Sequence, residues 1–129
     1  MMRWLREKEV RAMHLELIAD QGGMPGVRSP ELLDSALARA QNLATYGEPT
    51  LAELAATYAF GVAKNHPFVD GNKRVALTCA GVFLELNGWQ LTASQEDAVV
   101  TILALAAGEL SEAQLAAWFA QNLEKLPES

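Results

Sequence analysis

Hydrophobic and polar residues follow a helical period along nearly the whole chain. Residues 4–20 place Leu5, Val10, Met13 and Leu17 on one face among charged neighbours, and Gln21-Gly22-Gly23-Met24-Pro25-Gly26 then breaks the pattern. Ser29 ahead of Pro30 and Glu31 is a helix start, with proline in the first position and acid in the first turn. It leads into a second helix over about 30–41 with Leu32, Leu33, Ala36, Leu37 and Ala40 inward. After a loop at Thr45-Tyr46-Gly47-Glu48-Pro49, Thr50 and Glu53 have capping-box spacing for a third helix that runs to about Asn65. His66 falls at its C-terminus and Pro67 stops it. A fourth helix over about 72–86 is apolar at nearly every position from Val75 onward, the pattern of a central helix buried all round, and Asn87-Gly88 ends it. Trp89-Gln90-Leu91-Thr92 is at most a short extended piece. Ser94 with Asp97 and Ser111 with Gln114 start two last helices over about 95–107 and 112–124. No βαβ alternation occurs, so the fold class is all-α: a compact six-helix bundle with a polar loop between its third helix and its central fourth helix.

Length and composition narrow this picture. With 129 residues, the chain is expected to form a single domain over 1–126 with a frayed tail at 127–129. The one cysteine, Cys79, sits within the fourth helix, which excludes an intrachain disulfide and marks it as a small core residue. The charged N-terminus lacks an apolar signal core, and no stretch has membrane-spanning length, so a soluble cytoplasmic protein is expected. Net charge is −6, unevenly distributed: residues 1–74 carry nine basic and nine acidic groups, whereas residues 75–129 carry Lys125 against seven acids. A duplex-binding surface needs a basic face, so direct nucleic-acid binding is not expected. The acidic half reads first as a solvated face and secondly as a surface for a basic partner.

The chemistry concentrates in the loop ahead of the fourth helix, His66-Pro67-Phe68-Val69-Asp70-Gly71-Asn72-Lys73-Arg74. Lys73 and Arg74 lie in the first turn of that helix, where cations oppose the macrodipole at a cost of about 0.3–1 kcal/mol each. A bound anion reverses that sign, because helix N-termini present free N–H groups to phosphate and Gly71 lets a ligand approach the backbone. Taken singly, each residue has a plainer reading. His66 would be a hydrogen-bonding group at a helix end, Asp70 a turn residue, Asn72 an N-terminal cap, and Lys73 and Arg74 cations splayed into water.

Together these residues resemble the signature of the Fic superfamily, H-x-F-x-D/E-G-N-G-R-x-x-R. Lys73 stands where nucleotide-transferring members have a second glycine, and Leu77 where they have the last arginine. Both departures are similar to the Doc (death on curing) toxins of bacterial toxin–antitoxin pairs. Gly22-Gly23-Met24-Pro25-Gly26-Val27-Arg28, the helix from Leu32 to Arg39 and the all-α length also resemble that family, so the likeness spans nearly the whole chain. It implies a protein kinase that moves the γ-phosphate of ATP, with Mg²⁺, onto a threonine of elongation factor Tu and so stops translation. It further implies neutralisation by the C-terminal segment of a Phd-type antitoxin.

By the same resemblance His66 is the general base, Asp70 the metal-binding carboxylate, and Gly71 and Asn72 part of an anion hole for the phosphates. Arg74 clamps phosphate, and Lys73 crowds the hole so that the nucleotide binds reversed and presents its γ-phosphate. Phe68 anchors the loop in the core, and His14 matches the pattern in a structural role. Residues 46–49 are a candidate flap for aligning the target. Thr92-Ala93-Ser94-Gln95-Glu96 begins like the inhibitory helix of larger Fic proteins, but Asp97 follows and helix capping explains the segment. Two rival readings are a nucleotidyl transferase that moves AMP or UMP onto a protein hydroxyl, and a catalytically silent binding module with the same fold.

Overall fold

The structure is a computed structural model and describes residues 1–127. The expected fraying at 127–129 therefore lies, for residues 128 and 129, outside the described residues. Six helices form in the expected order: α1 Glu7–Gln21, α2 Pro30–Tyr46, α3 Leu51–Asn65, α4 Asn72–Leu86, α5 Gln95–Ala106 and α6 Glu112–Gln121. Two short strands accompany them, β1 Trp89–Leu91 and β2 Leu123–Lys125. The side chains of Ser29, Thr50, Ser94 and Ser111 cap α2, α3, α5 and α6, each accepting a backbone N–H of the first turn. The capping reading of Ser94 thus accounts for the Thr92–Glu96 segment.

The differences from expectation have local causes. α1 begins at Glu7, later than expected, because Leu5 is buried ahead of the helix, with its N–H donating to the Tyr58 hydroxyl at 3.1 Å. Its inward face is Val10, His14 and Ile18, whereas Met13 and Leu17 only edge onto the core. The stripe expected from the apolar residues alone is displaced because the polar His14 lies on the inward face. α2 continues to Tyr46, where Gly47 ends it, so part of the expected loop is helical. α6 stops at Gln121, and Leu123–Lys125 leaves the helix to pair antiparallel with β1, Leu91 opposite Leu123.

The core is centred on α3, which packs against α2, α4 and α6. Ten of its fifteen residues are buried, most of them alanine or glycine, against seven of fifteen for α4. Small side chains let three neighbours approach this helix: a Cβ at Gly61 would lie 3.1 Å from the Ala36 carbonyl oxygen of α2. α4 is central but buries one face, with Val75, Ala76, Cys79, Ala80, Phe83 and Leu84 turned inward. Trp4 stacks on Phe83, and Tyr58 meets the same Phe83 ring at a tilt of 51°. Burial pushes the Tyr58 hydroxyl and the Cys79 thiol each up to about 12. On the far side of α3, Arg39 of α2 bonds Glu112 of α6 at 2.8 Å, and Thr57 of α3 donates to the same carboxylate. Among the described residues no helix is long and apolar enough to cross a membrane.

Candidate active site

The site is built where α3 ends and α4 begins. Proline disfavours the right-handed helical conformation in the residue before it, so Pro67 forces the chain out of α3 at His66. His66 takes a left-handed conformation (φ 53°, ψ 54°), the one non-glycine residue with positive φ among those described. Such a conformation costs a non-glycine residue about 1–2 kcal/mol and needs support from its surroundings. Arg28 supplies it: its guanidinium donates to the carbonyls of Asn65 (2.9 Å) and His66 (2.7 Å), covering the open end of α3 with positive charge. The main chain around Arg28 also holds the loop. Arg28 and Ser29 N–H groups donate to the Pro67 carbonyl, Val69 N–H donates to the Gly26 carbonyl, and Val27 forms a bridge with Phe68.

Beneath the loop, the fully buried Phe68 stacks on His14, ring centroids 4.0 Å apart and 11° from parallel. His14 Nε2–H donates to the Asp70 carbonyl at 2.8 Å. This contact explains how a histidine occupies the inward face of α1. Phe68 is the anchor expected from sequence, and His14 is the strut beneath it.

Asn72 is buried at the first position of α4 and clamps the loop from inside. Its Oδ1 accepts the Phe68 N–H at 2.9 Å, and its Nδ2 lies 2.9 Å from the Phe68 carbonyl and 3.0 Å from His66 Nδ1. The residue preceding α4 is Gly71, left-handed at φ 79°, and no side chain caps this helix. Its first N–H groups are therefore open to an anion. The Asp70 carboxylate is exposed and accepts N–H groups from Met24 (3.2 Å) and Gly71 (2.8 Å). Those two bonds, with the nearby Arg74 guanidinium, hold its carboxyl below the usual carboxylate range, so it is ionised at neutral pH.

Arg74 does not splay into water. It is half-buried, and Nη1 donates to the Gln21 side chain at 3.3 Å and the Gly22 carbonyl at 3.2 Å, at the C-terminal end of α1. Nη2 passes close to Gly23 and Gly71. Lys73 is exposed on the first turn of α4. His66, Asp70, Gly71, Asn72, Lys73 and Arg74 all line one cleft of about 280 Å³, so the six residues that the sequence offered for catalysis and ligand binding come to one place. None of the residues lining it comes from the 46–49 segment, and Tyr46 is a helical, exposed residue.

Among the described residues no cluster of three metal-ligating side chains exists. Asp70 alone offers a charged oxygen, which fits a Mg²⁺ held by one carboxylate together with phosphate oxygens and water.

A sequence model described as the Fic/DOC family matches residues 4–84, the stretch from Trp4 through most of α4. The chain belongs to the Fic/DOC family. It is 40% identical over 116 residues to "Protein kinase doc" of Escherichia phage P1, covering 89% of this chain and 91% of that one. It is 47% identical over 75 residues to "Toxin Doc" of Mycolicibacterium smegmatis, covering 56% and 57%. The Fic/DOC match includes the cleft and every element that holds it, while α5, α6 and the two strands lie outside the matched stretch.

Arg28, Gln21 and the Gly22–Met24 turn were given no part in the site on sequence grounds. Their contacts cross tens of residues and pass largely through main-chain atoms, which no side-chain pattern encodes. The available signals were the density of glycine in that turn and the family resemblance of the segment from Gly22 to Arg28.

Proposed function

We propose that this Fic/DOC chain is the toxin of a toxin–antitoxin pair and works as a protein kinase, transferring the γ-phosphate of ATP to a threonine of elongation factor Tu and thereby stopping translation. The observation that carries this reading is Lys73, an exposed cation on the uncapped first turn of α4, in one cleft with His66 and Asp70. The 40% identity to a relative named as a protein kinase supports it.

In this reading the acceptor hydroxyl gives its proton to His66 as its oxygen bonds to the γ-phosphorus. The bond from that phosphorus to the bridging oxygen breaks and ADP leaves. The open N–H groups of α4, Arg74 and Lys73 meet the charge that builds on the transferred group and on the leaving diphosphate. Asp70 would hold Mg²⁺, which when bound neutralises phosphate charge. Gly71, without a side chain, leaves room for the phosphates against the backbone. The partners are elongation factor Tu as target and the C-terminal segment of a Phd-type antitoxin as inhibitor, and the setting is the cytoplasm.

The test is a transfer assay with purified protein, elongation factor Tu and Mg²⁺, run with γ-labelled and α-labelled ATP and with His66→Ala as control. Label from the γ position alone, lost in His66→Ala, is the expected result. Label from the α position would make the chain a nucleotidyl transferase, and label from neither would leave a silent module or another acceptor. Arg74→Ala should slow transfer on the order of 10²–10³-fold, the loss expected for one transition-state donor.

A further inference from the structure

Asn72 and His66 carry an inference about where the proton sits on the base. It rests on the reading of His66 as the proton acceptor. The Asn72 amide can take one orientation only. Phe68 N–H needs an acceptor and Phe68 C=O needs a donor, and both lie 2.9 Å from this side chain. Reversing the amide would set N–H against N–H and oxygen against oxygen. Oδ1 therefore faces the Phe68 N–H, and one Nδ2 hydrogen goes to the Phe68 carbonyl. The second Nδ2 hydrogen is left pointing at His66 Nδ1, 3.0 Å away. Two N–H groups cannot bond to each other, so Nδ1 holds a lone pair and neutral His66 carries its hydrogen on Nε2.

We infer that Asn72 is a positioning residue for His66, which selects the Nε2–H tautomer and keeps the Nδ1 lone pair covered in the resting site. The arriving proton then has one destination. When the acceptor O–H bond breaks, the new N–H bond forms at Nδ1, because Nε2 is already protonated. It forms only after the Nδ2–H···Nδ1 hydrogen bond has opened by rotation of the His66 ring away from Asn72, whose amide stays fixed on Phe68. The base is thus held inactive by the same buried amide that shapes the loop, and opening of this one contact precedes transfer. Burial of Asn72 and its two bonds to Phe68 make the amide a rigid template, so the tautomer is imposed on the ring by the loop.

The experiment is long-range ¹H–¹⁵N correlation NMR of the histidine rings, which reads directly which nitrogen bears hydrogen. It is recorded on the full chain without nucleotide, above the ordinary histidine titration range. His66→Ala assigns the signals, and His14 serves as an internal reference. Wild type should show His66 with an N–H at Nε2 and a bare Nδ1. A histidine ring in water already favours that tautomer, so the variants decide whether Asn72 imposes it. Asn72→Asp places a carboxyl oxygen against Nδ1 and should invert His66 to Nδ1–H, and Asn72→Ala should let the ring relax to a mixture. A wild-type ring with hydrogen on Nδ1 overturns the inference, as does an Nε2–H signal that stays unmixed in Asn72→Ala. If Asn72→Asp does not fold, wild type and Asn72→Ala decide it. The readout does not use phosphotransfer, so a failed kinase assay with the predicted tautomers would count against the function and leave this inference standing.

Discussion

His14 supports the loop from His66 to Gly71 through two separable contacts, and a pair of substitutions measures each. His14→Phe keeps a flat ring to stack on Phe68 but removes the N–H donated to the Asp70 carbonyl, a bond of 2.8 Å. Leaving that partly buried acceptor without its donor should cost about 1–3 kcal/mol. His14→Ala removes the donor and also the stacking partner, emptying a site that is 2% exposed beneath a fully buried Phe68. By comparison with aromatic-to-alanine changes in cores, it should cost about 3–5 kcal/mol. A domain of this kind has roughly 5–15 kcal/mol in total, so His14→Phe should stay folded, and His14→Ala should be the less stable of the two and reach the edge of unfolding only at the low end of that range. Urea titrations of the three proteins give the ordering directly, provided the slopes agree. Backbone hydrogen exchange at Asp70 and Gly71 should speed up in His14→Phe while the amides of α3 keep their protection. If His14→Phe matches wild type and His14→Ala loses less than about 1 kcal/mol, neither the stack nor the N–H supports the loop, and the account of His14 is wrong.

Gly23 has φ +120°, and a Cβ there would lie 2.7 Å from Asp70 Oδ2 and 3.2 Å from Arg74 Nη2, so Gly23→Ala should displace both site residues. The strain should cost about 1–3 kcal/mol and phosphotransfer should fall further than stability, whereas Gly81→Ala, with nothing within 4 Å, should leave transfer at the wild-type level. Cys79 is fully buried with its thiol pushed up to about 12, so a thiol-specific reagent should react only after denaturant is added, and stoichiometric labelling of the native protein would contradict the packing of α4. The Asp70 carboxyl is lowered by the Met24 and Gly71 N–H bonds, so its contribution to stability is complete above the ordinary carboxylate value and lost as pH falls through its folded one. Asp70→Asn should accordingly flatten the acid end of the stability–pH curve, and an unchanged acid limb would remove Asp70 as a contributor.

The sequence by itself determined the helices and the chemistry of the site. Periodicity and caps are local, so Ser29, Thr50, Ser94 and Ser111 announce the starts of α2, α3, α5 and α6 within a residue. The run from His66 to Arg74 is contiguous, a short connection after α3 followed by the first residues of α4, and so short a run can hardly keep its members apart, so their meeting in one cleft follows from the primary structure. Family membership was legible in the same run. Tertiary structure decided everything that depends on distant main-chain atoms. His14 counts as polar in any pattern and becomes an inward residue only because the Asp70 carbonyl waits for its N–H. Leu123–Lys125 has the period of the helix before it and becomes a strand only because the β1 edge lies beside it. Arg74 has the sequence position of a free phosphate clamp, yet folding brings it against the end of α1. The tautomer of His66 depends on an amide that is itself oriented by the Phe68 main chain. The physical reason is common to all four: hydrogen-bond donors and acceptors of the backbone are the same in every residue but proline, so a sequence cannot say which of them a distant group will meet until the chain has folded around it.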